Sequence, residues 1–307
     1  MKPVIYFHSD DYGMTSHSDD RIEACWKDGC LNSVSIVPNG VLDEAVARLQ
    51  TPSGRNVRTV VHINLVDGKA LSPVDKVSLI TDAEGYFRYS FGGLLLLSLS
   101  SKREKMKKQI YDEMLLQLKT VVAALPADAV ICIDSHQHFH LIPLIFKTML
   151  AVIEDSGIKI SAMRIPSEPI RPFLLCPSLY LTYKPINLIK QWVLKFLYNF
   201  DRRAHRQSQI PSPVFCGILF SGRMSLERVE KVLPHFYRIA EHQGRDLELL
   251  FHPGGVEPGE ALFDPKKTTF HPFYLSSGRK DEYFALHTLK PALYAKIQTE
   301  AEKMTLG

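Results

Sequence analysis

Three observations predict an α/β fold of the TIM-type (β/α) barrel kind, whole, incomplete or distorted. Short apolar runs alternate with amphipathic segments along most of the 307 residues. The runs end in polar, chemistry-bearing residues, and neither a composition break nor a fixed-period repeat divides the chain. A single catalytic domain over 1–307 is expected, with an irregular excursion at 67–101 and an insertion at 169–212. At 45% hydrophobic and 23% charged, the composition supplies an ample core.

Residues 4–8 form an apolar run ending in His8-Ser9-Asp10-Asp11, a buried first strand with polar groups at its C-terminal end, where such folds place chemistry. Residues 19–27 set Ile22, Ala24, Cys25 and Trp26 among charges, an amphipathic helix stopped by Gly29. A strand at 33–37, a helix at 42–50 and the Pro52-Ser53-Gly54 loop follow. The run T-V-V-H-I-N-L at 59–65 reads as a third strand with His62 and Asn64 on one face. Residues 67–101 read as an excursion over the mouth of the domain, with 94–99 a short helix or lid.

The clearest helix covers 102–125, apolar at Ile110, Met114, Leu118 and Val121. It leads through Pro126 into V-I-C-I-D-S-H-Q-H-F-H at 130–140. If strand geometry persists there, Asp134, His136, His138 and His140 project from one face. Crowded imidazoles are costly as core filling and useful as metal ligands. A helix at 142–156 capped by Gly157 and a strand at 158–164 come next.

Prolines punctuate an aromatic run from 169, before the strongly apolar helix I-N-L-I-K-Q-W-V-L-K-F-L-Y-N-F. Either it packs on the barrel exterior or it offers an apolar face to a dimer partner, a lipid-linked glycan or a membrane surface. The cluster Arg202-Arg203-Ala204-His205-Arg206 reads as a basic turn that keeps the surface alternative open. A strand at 214–220, a helix at 225–242, a strand at 246–251 ending in His252-Pro253-Gly254-Gly255, and helices at 277–286 and 290–304 complete the chain.

The formal charge of +4 is small and evenly spread, and no basic block interleaves with aromatics, so a nucleic-acid partner is not expected. Five scattered cysteines without C-x-x-C spacing point to reduced thiols. The first apolar run is too short for a signal peptide, and no stretch reaches the ~18 apolar residues of a spanning helix. A soluble cytoplasmic protein is expected.

Four strand ends therefore carry groups that converge at one mouth: Asp10-Asp11, His62 with Asn64, Asp134 to His140, and His252. Adjacent carboxylates divide labour when one ligates a divalent metal and its neighbour accepts a proton from water. One carboxylate and two imidazoles with open positions suit Zn²⁺ above all, and also Co²⁺, Ni²⁺, Mn²⁺ or Mg²⁺. A separate histidine then protonates a leaving amine.

The blocks D-D-Y-G-M-T, N-S-V-S-I-V-P-N, V-H-I-N-L, I-D-S-H-Q-H-F-H-L-I-P and E-L-L-F-H-P-G resemble, in order and spacing, the YdjC-like carbohydrate deacetylases, which include the chitooligosaccharide deacetylases. The match is poor across 67–101 and 169–212. The resemblance implies a (β/α) barrel that removes acetyl groups from N-acetylated sugars with a divalent metal. It implies Asp11, His62 and His136 as metal ligands, Asp10 as general base and His252 as general acid. Asp134, His138 and His140 then either support the ligands or contact the sugar, Asn64 and Arg164 are placed at the substrate, and a homodimer is expected. This chain departs from the family in carrying His8-Ser9, where Asn-Ala is usual, and in a shorter turn at Ser18-Asp19-Asp20-Arg21. Both differences touch the rim and hence substrate identity. Two alternatives stay open: a metal-dependent amidohydrolase or phosphoesterase on another small substrate, and a non-catalytic sugar- or lipid-binding barrel.

Overall fold

The computed structural model of the chain describes residues 2–54 and 56–289. Its strands are β1 (Ile5–Tyr12), β2 (Ser33–Ile36), β3 (Arg58–Ile63), β4 (Cys132–Ser135), β5 (Ala162–Met163), β6 (Val214–Cys216) and β7 (Leu247–Phe251). All pair in parallel, in the order β5-β4-β3-β2-β1-β7-β6. That is the neighbour order of a TIM-like barrel, with the curled sheet open between β5 and β6. Across the opening Met163 N donates to Pro211 O at 2.9 Å.

Helices α1 (Ser16–Lys27), α2 (Leu42–Leu49), α3 (Val74–Val77), α4 (Phe91–Ser98), α5 (Arg103–Ala124) and α6 (Pro143–Ser156) precede β5. After it come α7 (Arg171–Leu174), α8 (Pro185–Phe200), α9 (Arg202–Gln207), α10 (Leu226–Gln243), α11 (His271–Tyr274) and α12 (Gly278–Thr288). Local chemistry sets several ends. Thr15 Oγ1 accepts from Ser18 N at 3.3 Å to cap α1. Pro143 opens α6, and Gly157 closes it in the left-handed region at φ 68°. Sheet and helices share one large core, and the strands read as apolar runs because both faces are covered.

Within 67–101 the short helix expected near 94–99 is α4, Lys69 bridges Tyr86 and Thr81 bridges Phe87, and polar residues of α5 hold the segment down. The Glu113 carboxylate accepts from Leu71 N and Ser72 N, and Gln109 Oε1 from Leu79 N. The strand at 130–140 stops at Ser135, because Gln137 and His138 turn left-handed (φ 55° and 61°) into a 3-10 segment over His136–Leu141. The strand expected at 214–220 ends at Cys216, since Glu168 takes the N–H groups of Gly217, Ile218 and Leu219 that a ladder would need. Burial pushes the Glu168 carboxyl up to about 7 despite those bonds. The basic turn is the helix α9. The helix expected at 290–304 lies outside the described residues.

Within α9, His205 is buried between Phe146 and Tyr198, with ring centroids at 3.8 and 4.9 Å, and neither ring nitrogen has a hydrogen-bond partner. Burial lowers its pKa from 6.5 to about 4. The unfolded chain thus takes up this proton first, so stability is full above pH 6.5 and falls as pH drops toward about 4. A His205→Phe variant is expected to lose that part of the acid slope in denaturation curves taken across this window. An unchanged slope would refute the assignment.

A cavity of about 1430 Å³ opens at the N-terminal end of the strands, lined by Tyr6, Arg58, Cys132, Ala162 and Asp246 among others. The charged cluster described next lies at the opposite end, which is the catalytic face of such sheets. Among the described residues no helix is long and apolar enough to cross a membrane.

Candidate metal centre

Adjacent residues of a regular strand point to opposite faces. β1 breaks that alternation: its register with β2 shifts between Ser9 and Tyr12, and Asp11 adopts φ 70°. This left-handed residue costs roughly 1–2 kcal/mol and turns both Asp10 and Asp11 toward one mouth. His62 arrives from β3, Asp134 and His136 from the end of β4, and His252 from the end of β7.

Asp11 Oδ1 lies 3.0 Å from His136 Nδ1 and 3.9 Å from His62 Nε2. Asp11, His62 and His136 each offer one ligand atom, all within 4.8 Å of one another. His62 Nε2 is buried with no hydrogen-bond partner, a costly state unless a ligand completes it. The other His62 nitrogen, Nδ1, pairs with Asp134 Oδ1 at 2.6 Å, an outer contact that aims Nε2 inward. One oxygen and two nitrogens with open positions form a donor set that fits a divalent ion such as Zn²⁺.

Asp67 and Tyr274 support His136 from behind: its Nε2 lies 3.7 Å from Asp67 Oδ2 and 3.4 Å from the Tyr274 hydroxyl. Burial alone would depress the imidazole, but Asp11 and Asp67 push its pKa up to about 9. Burial also works against ionised Asp11, yet His136 and Arg279 hold it well below the usual carboxylate range. Arg279 Nη2 donates to Asp11 Oδ2 at 3.3 Å.

His8, Asp10 and Asp134 form a second group with metal-ligand spacing, but a protein cation already serves it. Arg164 reaches Asp10 Oδ1 at 2.8 Å, Asp134 Oδ2 at 2.8 Å and Glu248 Oε1 at 2.5 Å. Arg58 satisfies the other Glu248 oxygen at 3.1 Å. Burial would raise the carboxyl pKa of Asp10; Arg164 overrides it and holds Asp10 ionised. Asp134 and Glu248 shift down for the same reason, again against burial.

His252 faces the same space. Its Nε2 lies 4.0 Å from Asp10 Oδ2, and its Nδ1 lies 3.7 Å from Glu282 Oε2. The Glu282 carboxylate also accepts from His252 N and Met224 N, fixing the loop that carries the ring.

The remaining sequence-derived residues separate by surroundings. Asn64 is fully buried, donating to Asn39 Oδ1 and Asp67 O and accepting from Val66 N and Asp67 N. His140 is held between Ser135 Oγ at 2.6 Å and Arg164 O at 2.9 Å; burial keeps it neutral, its pKa lowered to about 3. His138 is buried with its Nδ1 unpartnered and its ring edge-on to Phe215. Arg164 is buried under Asp10, its charge spent on carboxylates.

Sequence reasoning missed Asp67, Glu248, Tyr274, Arg279 and Glu282. Glu248 left a readable signal, a lone charge inside the apolar run L-E-L-L-F. Asp67 left another, a carboxylate just past the third strand. Tyr274, Arg279 and Glu282 lie far along the chain in unexceptional company.

A parallel α/β sheet of TIM-like order with an Asp-His-His donor set at its strand ends, and an ionised carboxylate and a histidine beside it, defines a class: α/β proteins with a candidate divalent-metal centre. Within that class the chain belongs to the YdjC-like protein family, whose model matches residues 4–292. Similar sequences include the carbohydrate deacetylase of Mus musculus, 24% identical over 161 residues, covering 52% of this chain and 49% of that protein. The carbohydrate deacetylase of Danio rerio is 27% identical over 167 residues, 52% of this chain and 49% of that one. That of Thermoanaerobacter pseudethanolicus is 34% identical over 85 residues, 27% and 33% of the two chains. The matches thus span about half the length of these curated relatives or less. A crystal structure from Enterococcus faecalis V583, of a protein named for cellobiose-phosphate cleavage, superposes with a TM-score of 0.64. It is 16% identical, covers 98% of this chain and 96% of that one, and shares the fold.

Proposed function

We propose that this chain is a single-domain, metal-dependent hydrolase that removes the acetyl group from an acetamido sugar. One observation carries the reading: beside the Asp11, His62 and His136 donors stand an ionised carboxylate, Asp10, and an imidazole, His252, 4.0 Å apart. Amide hydrolysis needs that combination, a proton acceptor for water and a proton donor for the amine. The deacetylase names of the similar proteins supply the substrate class.

Asp11, His62 and His136 hold the ion, which when bound supplies a Lewis acid that polarises the acetyl carbonyl and acidifies water. Asp10, kept ionised and oriented by Arg164, takes the proton from water. His252, steadied by Glu282, delivers a proton from Nε2 to the departing nitrogen. His138, buried with an unpartnered nitrogen, faces the substrate; Asn64 and His140 shape the mouth through the loops they brace. Zn²⁺ fits the donor set best. Free thiols at all five cysteines accord with a cytoplasmic setting.

The test is acetate release from short N-acetylated sugars by protein loaded with Zn²⁺, set beside metal content. Wild type is expected to hold one ion per chain, and His136→Ala to lose the ion and the activity together. Loaded protein that releases no acetate from any acetamido sugar would overturn the reading. His136→Ala that retains a full complement of metal would overturn the ligand assignment.

A further inference from the structure

The inserted helix α8 is apolar on two sides. Its inner side, Gln191, Leu194 and Leu197, is buried, with Leu194 and Leu197 in a small core that also takes Phe91 and Leu95 of α4. Its outer side presents Ile186, Ile189, Val193, Phe196 and Phe200 at alternating three- and four-residue spacing, with Trp192 alongside. Trp192 is 67% exposed, Phe196 66% and Phe200 72%. Leu174, Leu175 and Leu181 before the helix, and Leu96 and Leu99 at the end of α4, are exposed as well. A helix apolar all round normally has both sides covered, and large exposed apolar surfaces mark interaction sites.

The charge on this segment is one-sided. Residues 169–212 hold seven cations, Arg171, Lys184, Lys190, Lys195, Arg202, Arg203 and Arg206, against one acid, Asp201. That acid pairs with Lys147 of α6 at 3.5 Å. Among the described residues, Arg171, Lys184, Arg202, Arg203 and Arg206 are exposed and make no ion pair. Position adds a third observation. α8 is fastened to the loops of the catalytic end by Asn187 to Leu219 O at 3.1 Å and Gln191 to Glu168 O at 3.4 Å.

From these we infer that the outer side of α8, with the basic residues flanking it, docks on an anionic lipid bilayer and brings the catalytic mouth to membrane-anchored acetamido sugars; the sugar part rests on the function proposed above. Aromatic and aliphatic side chains on one side with cations around them are the composition of a helix that lies in the headgroup region. Each cation near an anionic leaflet adds attraction that salt screens. A second copy of this chain fits the face less well. A two-fold interface sets the same patch against itself, and here that confronts five exposed, unpaired cations with five.

The experiment is vesicle co-sedimentation of the full chain, read without metal or sugar, so its outcome is independent of the deacetylase reading. Wild type is expected to sediment with phosphatidylcholine vesicles containing phosphatidylglycerol, to leave pure phosphatidylcholine vesicles in solution, and to be released by salt. Trp192→Asp with Phe196→Asp, and separately Arg202→Glu with Arg203→Glu, are each expected to weaken partition at least about tenfold. Turnover of a soluble N-acetylated sugar and the circular dichroism of both variants should match wild type. Failure of wild type to bind the anionic vesicles overturns the inference, as does equal binding by the charge-reversal variant, whose exposed positions put no demand on folding. A wild-type dimer that ignores vesicles and is dissolved by Trp192→Asp with Phe196→Asp also overturns it, and makes the face an interface between copies.

Discussion

Replacing Arg164 by methionine is expected to destabilise the protein by roughly 3–5 kcal/mol, the usual cost of stripping a buried charge of its partner. It should also remove nearly all turnover. Three buried carboxylates, those of Asp10, Asp134 and Glu248, converge on this one guanidinium. Arg58 relieves Glu248 alone. Without Arg164, Asp10 and Asp134 lose the charge that keeps them ionised against burial, so they take up protons. Protonated Asp10 accepts nothing from water, and protonated Asp134 loosens its hold on His62. Arg164→Lys keeps the charge but not the planar fork that reaches several carboxylates at once, so it should recover stability in part and activity little. Denaturant midpoints of the three proteins measure the effect. A methionine variant as stable as wild type would show that the carboxylates do not depend on Arg164.

Asp10→Asn should do the opposite: keep the metal and lose the chemistry. Asparagine preserves shape, and Asp10 is not among Asp11, His62 and His136, so metal content should remain near wild type. Turnover should fall roughly 10²- to 10⁴-fold, the usual loss for a general acid–base group. Metal analysis with acetate release decides it. A variant within tenfold of wild type would move the base elsewhere, and one that also lost its metal would place Asp10 among the ligands.

Much of the site was legible along the chain because strand ends announce themselves. An apolar run that stops at a charged residue marks the C-terminal edge of a buried parallel strand, and Asp10, Asp11, Asp134 and His252 each follow such a run, while His62 interrupts one before Ile63. The alternating histidines misled in one respect. Period two holds only while the backbone stays extended, and positive φ at Gln137 and His138 separates His136 from His138 and His140. The adjacent aspartates hid a similar break, since nothing in D-D discloses that Asp11 is left-handed. Residues 67–101 looked irregular for a related reason: isolated backbone bridges and α5 side chains that take the N–H groups of Leu71, Ser72 and Leu79 are pairings without periodicity.

By itself the sequence determined the α/β class, the succession of the strands along the chain, and which strand ends carry carboxylates and imidazoles, because burial of periodic apolar faces writes those features locally. The tertiary structure decided the rest. It selected Asp11, His62 and His136 as a donor set within 4.8 Å, assigned Arg164 to the competing group of His8, Asp10 and Asp134, and set Asp67, Tyr274, Arg279 and Glu282 behind them. It also left one side of α8 exposed and unpaired in charge. Electrostatic partnership depends on distance through space, and a chain order that separates Asp11 from Arg279 by 268 positions carries no record of a contact at 3.3 Å.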